Sequence, residues 1–226
     1  MNVPASTRSA IVAGMKQPPA DLAERLWQVS DHFLALGSDP KIDELAELIG
    51  VPRATIYYYF SGKDDVMAFL LAQKVERASL IVAQAATGAG TPTDRIQRVF
   101  RAMLEQMAEH PALCTRLICW MTSPTGEQLA IEAQGSLMAP VRALFLEGQA
   151  TGEFAEIDPV DATTAVMGAL SMVAMRYTVI GNFDHHVVAD TLIPWLLDGL
   201  RSRSPSASGA GVASKRRPQG RGRVAR

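Results

Sequence analysis

The stretch IDELAELIGVPRATIYYYFSGK, from Ile42 to Lys63, holds two short helices and the turn that joins them. Ile42, Leu45, Ala46 and Ile49 recur every three or four residues, so one helical face is apolar and the other carries Asp43, Glu44 and Glu47. Gly50 stops that helix. Pro52 suits the first position of a second helix, and nothing before Tyr59 breaks it. Leu45, Ile49, Val51 and Ile56 then face inward, while small Ala46 lets the second helix cross closely over the first. Two helices of about two turns joined by a glycine turn make a helix-turn-helix, which inserts its second helix in the DNA major groove.

The next residues narrow the reading. Thr55-Ile56-Tyr57-Tyr58-Tyr59-Phe60, with Lys63 after a two-residue gap, resembles the signature of the tetracycline-repressor family of bacterial transcription regulators. That pattern is Thr, Leu or Ile, Tyr, any residue, Tyr or His, Phe, any two residues, Lys. The resemblance covers roughly residues 20 to 75 and is architectural beyond them. It implies DNA contacts from Lys41, Arg53, Ala54, Thr55, Tyr57, Tyr58, Tyr59 and Lys63. Arg53 has the donors to read guanine, and it equally suits a phosphate. Lys63 would aim its ammonium and its helix N-terminus at phosphate. Ile56 and Phe60 belong to the core, and three successive tyrosines cannot all join them on one helix. The chain departs from the family at Pro40, Lys41 and Pro52, where Ser or Thr is common, so hydroxyl caps and phosphate donors are missing.

Of the 226 residues, 48% are apolar, ample for a core, and no run is long enough to span a membrane. The patch Ala10 to Met15 is too short for a secretory signal, and Cys114 and Cys119 are too few for a disulfide framework. The expectation is a cytoplasmic protein. Residues 201–226 carry eight basic side chains and no acid, which leaves the other 200 residues at −9 within a net charge of −1. An acidic body is a poor general DNA binder, so phosphate affinity must come from a local basic face or from the tail. The tail itself cannot fold alone and reads either as a solvated extension or as an electrostatic arm.

No period-two alternation persists, so the expected fold is all-α with about nine helices. A flexible arm (1–19), in which Arg8 and Lys16 are candidates for touching DNA, precedes a helix-turn-helix domain (20–66). A larger helical domain (67–200) and the basic tail (201–226) follow, and Thr87 to Pro92 is the clearest break in composition. Helix 1 is expected from Ala20 to Leu36, stopped by Gly37, with Asp39 and Pro40 opening the next. A linking helix covers about 64–86, and later ones cover 94–109, 111–122, 126–149, 159–180 and 185–200. Gly135 and Pro140 predict a kink in the 126–149 segment.

Helix 159–180 is apolar nearly all round, as is 185–200, which requires burial on two sides. The family resemblance implies that both helices meet their copies in a homodimer, through Val166, Leu170, Val173, Tyr177, Val188, Leu192, Trp195 and Leu196. It also implies a sensor for a small apolar or aromatic effector. Phe100, Met103, Met107, Leu117, Trp120, Met121, Met138, Met167 and Leu170 are candidates to line a cavity, methionine being adaptable, though each also suits plain core. Arg116 is either an anchor for an acidic ligand group or a surface charge. His110 with Cys114, and the His185-His186 pair, lack further ligands at metal-binding spacing, and no nucleophile elbow or phosphate loop stands out. The expected function is therefore that of a ligand-responsive repressor acting on a palindromic operator, without enzymatic activity or cofactor. The alternative is a helix-turn-helix adaptor whose second domain binds a protein partner and has no cavity.

Overall fold

The structure is a computed structural model that describes residues 15–35, 41–121, 127–181 and 184–201. The expectations placed on Arg8, Gly37, Asp39, Pro40 and the tail beyond Arg201 lie outside those residues. Among the described residues the chain is helical, apart from one isolated bridge between Phe154 and Arg201.

The elements are α1 (Ala20–Gln28), α2 (Ser30–Phe33), α3 (Ile42–Leu48), α4 (Arg53–Tyr59), α5 (Lys63–Thr87), α6 (Pro92–Glu109), α7 (Pro111–Met121), α8 (Glu127–Ala133), α9 (Ala139–Ala150), α10 (Pro159–Ile180) and α11 (His185–Leu200). The expected single first helix is two: Val29 leaves helical geometry at φ −99° and ψ 3° and divides α1 from α2. Leu22, Leu26, Trp27 and Phe33 are still buried. Gly50 has φ +67°, a left-handed conformation that glycine adopts without steric cost, so the turn between α3 and α4 depends on it.

The expected kink in the 126–149 segment is a π-helical turn, Gln134–Met138, between α8 and α9. Pro140 has no N–H to give the Ser136 carbonyl, and a widened turn accommodates that missing bond just before α9 begins. Elsewhere the helix ends follow local chemistry. Thr91 and Asp94 form a reciprocal capping box on α6, and the Asp158 and Asp184 carboxylates cap α10 and α11.

One continuous apolar cluster runs from Leu22 in α1 to Leu197 in α11. Its centre is α5, which packs on α6, α7, α9 and the π turn. Each fully buried Leu, Ile or Phe on these helices contributes about 1.5–3 kcal/mol, so α5 is held firmly along its length. Its first turn follows α4 directly. The same helix thus carries the helix-turn-helix at one end and lies in the main core at the other.

Candidate nucleic-acid interface and apolar cavity

Ile56 (0% exposed) pins α4 to the core, and Phe60 just beyond its end is also buried. The opposite face presents Arg53, Ala54, Tyr57 and Tyr58 to solvent, with Thr55 and Tyr59 half-buried at its flanks. Lys41 and Lys63 stand beside it around one open concavity that also includes Arg53, Tyr57 and Gly62. Lys16 places its ammonium 4.0 Å from the centre of the Tyr58 ring, whose edge packs against Tyr59. The structure therefore brings all eight expected contact residues to α4 and its immediate margins.

The arginine is engaged. Its Nε and Nη1 donate to the two oxygens of Asp43 at 2.8 and 2.9 Å, and Nη2 donates to the Tyr57 hydroxyl at 3.4 Å. This fork geometry is the one a guanidinium also offers to a phosphate or to guanine. Asp43 consequently occupies the donors that a nucleic acid would take.

Behind this face, α1 and α2 are tied to α5 and α7. The Asp31 carboxylate accepts the Leu113 N–H at 3.0 Å and lies 3.3 Å from Nδ1 of His110, whose ring packs edge-on against Trp27. Burial, and then the nearby Lys74 charge, push the His110 pKa down, with Asp31 and Glu109 opposing. Arg77 of α5 pairs with Glu24 of α1 at 2.7 Å. Arg116 overturns its expected role as a ligand anchor. Its Nε and Nη2 donate to the Leu34 and Ala35 carbonyls at 3.0 and 3.3 Å, satisfying main-chain acceptors at the end of α2.

A cavity of about 380 Å³ lies between α5, α6, α7, the π turn and α10, at the small end of the range of about 300–1,000 Å³ usual for ligand sites. Met103, Met107, Leu117, Met138 and Met167 line it as expected, joined by Ile81, Val82 and Leu137. Phe100 and Leu170, both fully buried, and half-buried Trp120 pack in the core outside its wall. The Met121 side chain lies outside the described residues. The sequence reading missed Lys74, which lines the same cavity at 2% exposure. Its register was a usable signal: Leu70, Leu71, Lys74, Ala78 and Val82 share one helical face, and a lysine there sits among core positions.

The expected dimer residues divide. Val166, Leu170 and Val188 are buried in this chain's own core and have no surface to offer. Val173, Tyr177, Leu192 and Leu196 are partly buried against that core. Trp195 is 71% exposed. α10 and α11 also expose Met172, Val179, Ile180 and Val187, which the sequence did not single out.

This geometry can be set beside known proteins. A sequence model described as bacterial regulatory proteins, tetR family, matches residues 41–68, the helix-turn-helix itself. The model of the tetracyclin repressor-like C-terminal domain matches residues 89–200. The chain belongs to the tetracycline-repressor family. Among curated relatives, this family member is 29% identical over 142 residues to the HTH-type transcriptional regulator EthR of Mycobacterium tuberculosis, a match covering 63% of this chain. The chain spans about half the length of that relative, 53%. A solved TetR/AcrR-family regulator from Thermobifida fusca is 25% identical with a TM-score of 0.65, covering 80% of this chain and 99% of that one. The fold is shared with the fatty acid degradation regulator FadR of Bacillus halodurans, at 20% identity and a TM-score of 0.71, over 83% of this chain and all of that one. It is also shared with FadR of Bacillus subtilis in complex with stearoyl-CoA, at 17% identity and a TM-score of 0.69, over 79% and 99%. Among the described residues no helix is long and apolar enough to cross a membrane.

Proposed function

We propose that this chain is a ligand-responsive transcriptional repressor that binds a palindromic operator as a homodimer. The observation that carries the reading is the position of α5, which is separated from α4 by only Phe60, Ser61 and Gly62 and farther along walls the apolar cavity. An effector filling that cavity acts on the helix that holds the reading head. Such an effector releases DNA only if it binds more tightly to the spacing that does not fit the operator.

In the dimer, the exposed apolar residues Met172, Val179 and Ile180 of α10 and Val187 and Trp195 of α11 meet the partner's copies. The two α4 helices then lie about one helical turn of DNA apart, about 34–36 Å, or a multiple of it. Repression rests on the family resemblance. A largely apolar effector is supported by the lining of the cavity and by the stearoyl-CoA bound to the Bacillus subtilis relative of the same fold. The cavity also weighs against the adaptor alternative, which needs a filled second domain.

Selection of bound sites from random duplex DNA at near-physiological salt tests the proposal. The expected result is a palindromic motif enriched by the full chain, with its preference relaxed at one position in each half-site by Arg53→Met. Enrichment of no motif would overturn specific DNA reading and favour a protein-binding adaptor.

A further inference from the structure

Lys74 is 2% exposed and its side chain is part of the wall of an otherwise apolar cavity. Its ammonium donates to the Gln106 carbonyl at 2.7 Å, near the C-terminal end of α6, where a cation is favoured by unpaired carbonyls. An ammonium has three donors, and that bond uses one. The other group against it is the Cys114 thiol, a weak acceptor. Among the described residues no carboxylate pairs with Lys74 within 4.0 Å, although Asp31 and Glu109 lie near enough to be felt. The ring of Trp27 is 5.9 Å away.

A buried cation without a counter-ion is unfavourable, and the structure relieves this only in part. Burial first, and then the charge of Arg77, push the Lys74 pKa down, while Cys114, Glu109 and Asp31 push it up. Capping α6 explains the contact with Gln106. It does not require a lysine, and the same residue lines a cavity with Met103, Met107, Leu137, Met138 and Met167.

We propose that the effector is an amphiphile with a carboxylate head, and that Lys74 is its counter-ion inside the cavity. This rests on the reading of the cavity as the effector site. The apolar body lies against the methionines, and the head supplies the anion that the cavity wall lacks. Lys74 is on α5, so the head group is held by the helix that leads to the reading head. An uncharged ligand with the same tail fills the cavity without that attachment.

Calorimetric titration of the full chain with decanoate, decan-1-ol and decyltrimethylammonium, which share a tail and differ in head group, tests this. The expected order is decanoate at least tenfold tighter than decan-1-ol, with the cation weakest. Lys74→Met, close in volume and without charge, should reduce the preference for decanoate over the alcohol to less than twofold while still binding the alcohol. The wild-type order decides the matter alone if that variant does not fold. Equal affinity for acid and alcohol, or a preference that survives Lys74→Met, would overturn the proposal and leave the cavity as an effector site. Failure of all three probes to bind would overturn both.

Discussion

The Arg116 guanidinium donates to the Leu34 carbonyl at 3.0 Å, so α7 grips the end of α2 through its main chain. The second bond, to Ala35, extends the grip by one residue, and Asp31 returns it by accepting from Leu113. These contacts join the cavity-lining helices to the helices behind the reading head at points separate from α5. An effector that moved α7 would therefore act on α2 as well.

Arg116→Met keeps the apolar stem and removes both donors. Leaving part-buried carbonyls without their partners costs about 1–3 kcal/mol, and denaturant unfolding should show a lower midpoint with an unchanged slope. Effector binding in the cavity should persist, because Arg116 does not line it. The same variant should release operator less completely at saturating effector.

In the proposed complex, Asp43 competes with DNA for Arg53. Asp43→Asn removes the charge that holds the fork and also a carboxylate near the phosphate backbone, so duplex affinity should rise. Arg53→Met should cost about 1–3 kcal/mol and relax sequence preference at one base-pair position in each half-site. Competition binding against operators altered at single positions measures both. Uniform weakening at every position would assign Arg53 to phosphate instead.

The burial of His110 beside Lys74 gives a pH dependence of defined sign, which the Asp31 contact only moderates. His110 has a folded-state pKa below its ordinary value of about 6.5, because of burial first and the Lys74 charge second. The folded protein thus holds this proton less readily than the unfolded chain. The resulting stability is present above about pH 6.5 and is lost as pH falls through the folded-state value. Unfolding midpoints recorded between pH 7.5 and 5 should decline for the wild type, and the decline should be shallower for His110→Gln.

Trp195 and Val187 point outward, so replacing them leaves the subunit's own core intact. The double variant Trp195→Asp, Val187→Asp should sediment as a monomer with unchanged helical circular dichroism. Val188→Asp, by contrast, buries a charge in the subunit and should unfold it.

Legibility in the sequence followed the strength of local signals. α10 and α11 have the expected bounds because Pro159, Gly181 and two aspartate caps mark them chemically. The break at Val29 carries no comparable mark, since it depends on how neighbouring helices pack, whereas Gly135 and Pro140 marked the interruption that the structure draws as the π turn Gln134–Met138. The exposed face of α4 was readable because one period-matched stripe fixes which side is buried. The outer face of α10 and α11 was not, because a helix apolar all round has no stripe to tell core from surface, and Val166, Leu170 and Val188 lie on the inner side. Lys74 and Arg116 show the same limit for single charges. Helical register placed each on a face, but only packing decides what that face meets: a cavity for Lys74 and the end of α2 for Arg116.

The central claim is that two copies of α4 read one palindromic site. Sedimentation equilibrium of the full chain with a labelled duplex carrying the selected motif tests it most directly. The account predicts two protomers on each duplex, reduced to free DNA by the Trp195→Asp, Val187→Asp variant at the same concentration. One protomer bound per duplex, or undiminished binding by that variant, would contradict it.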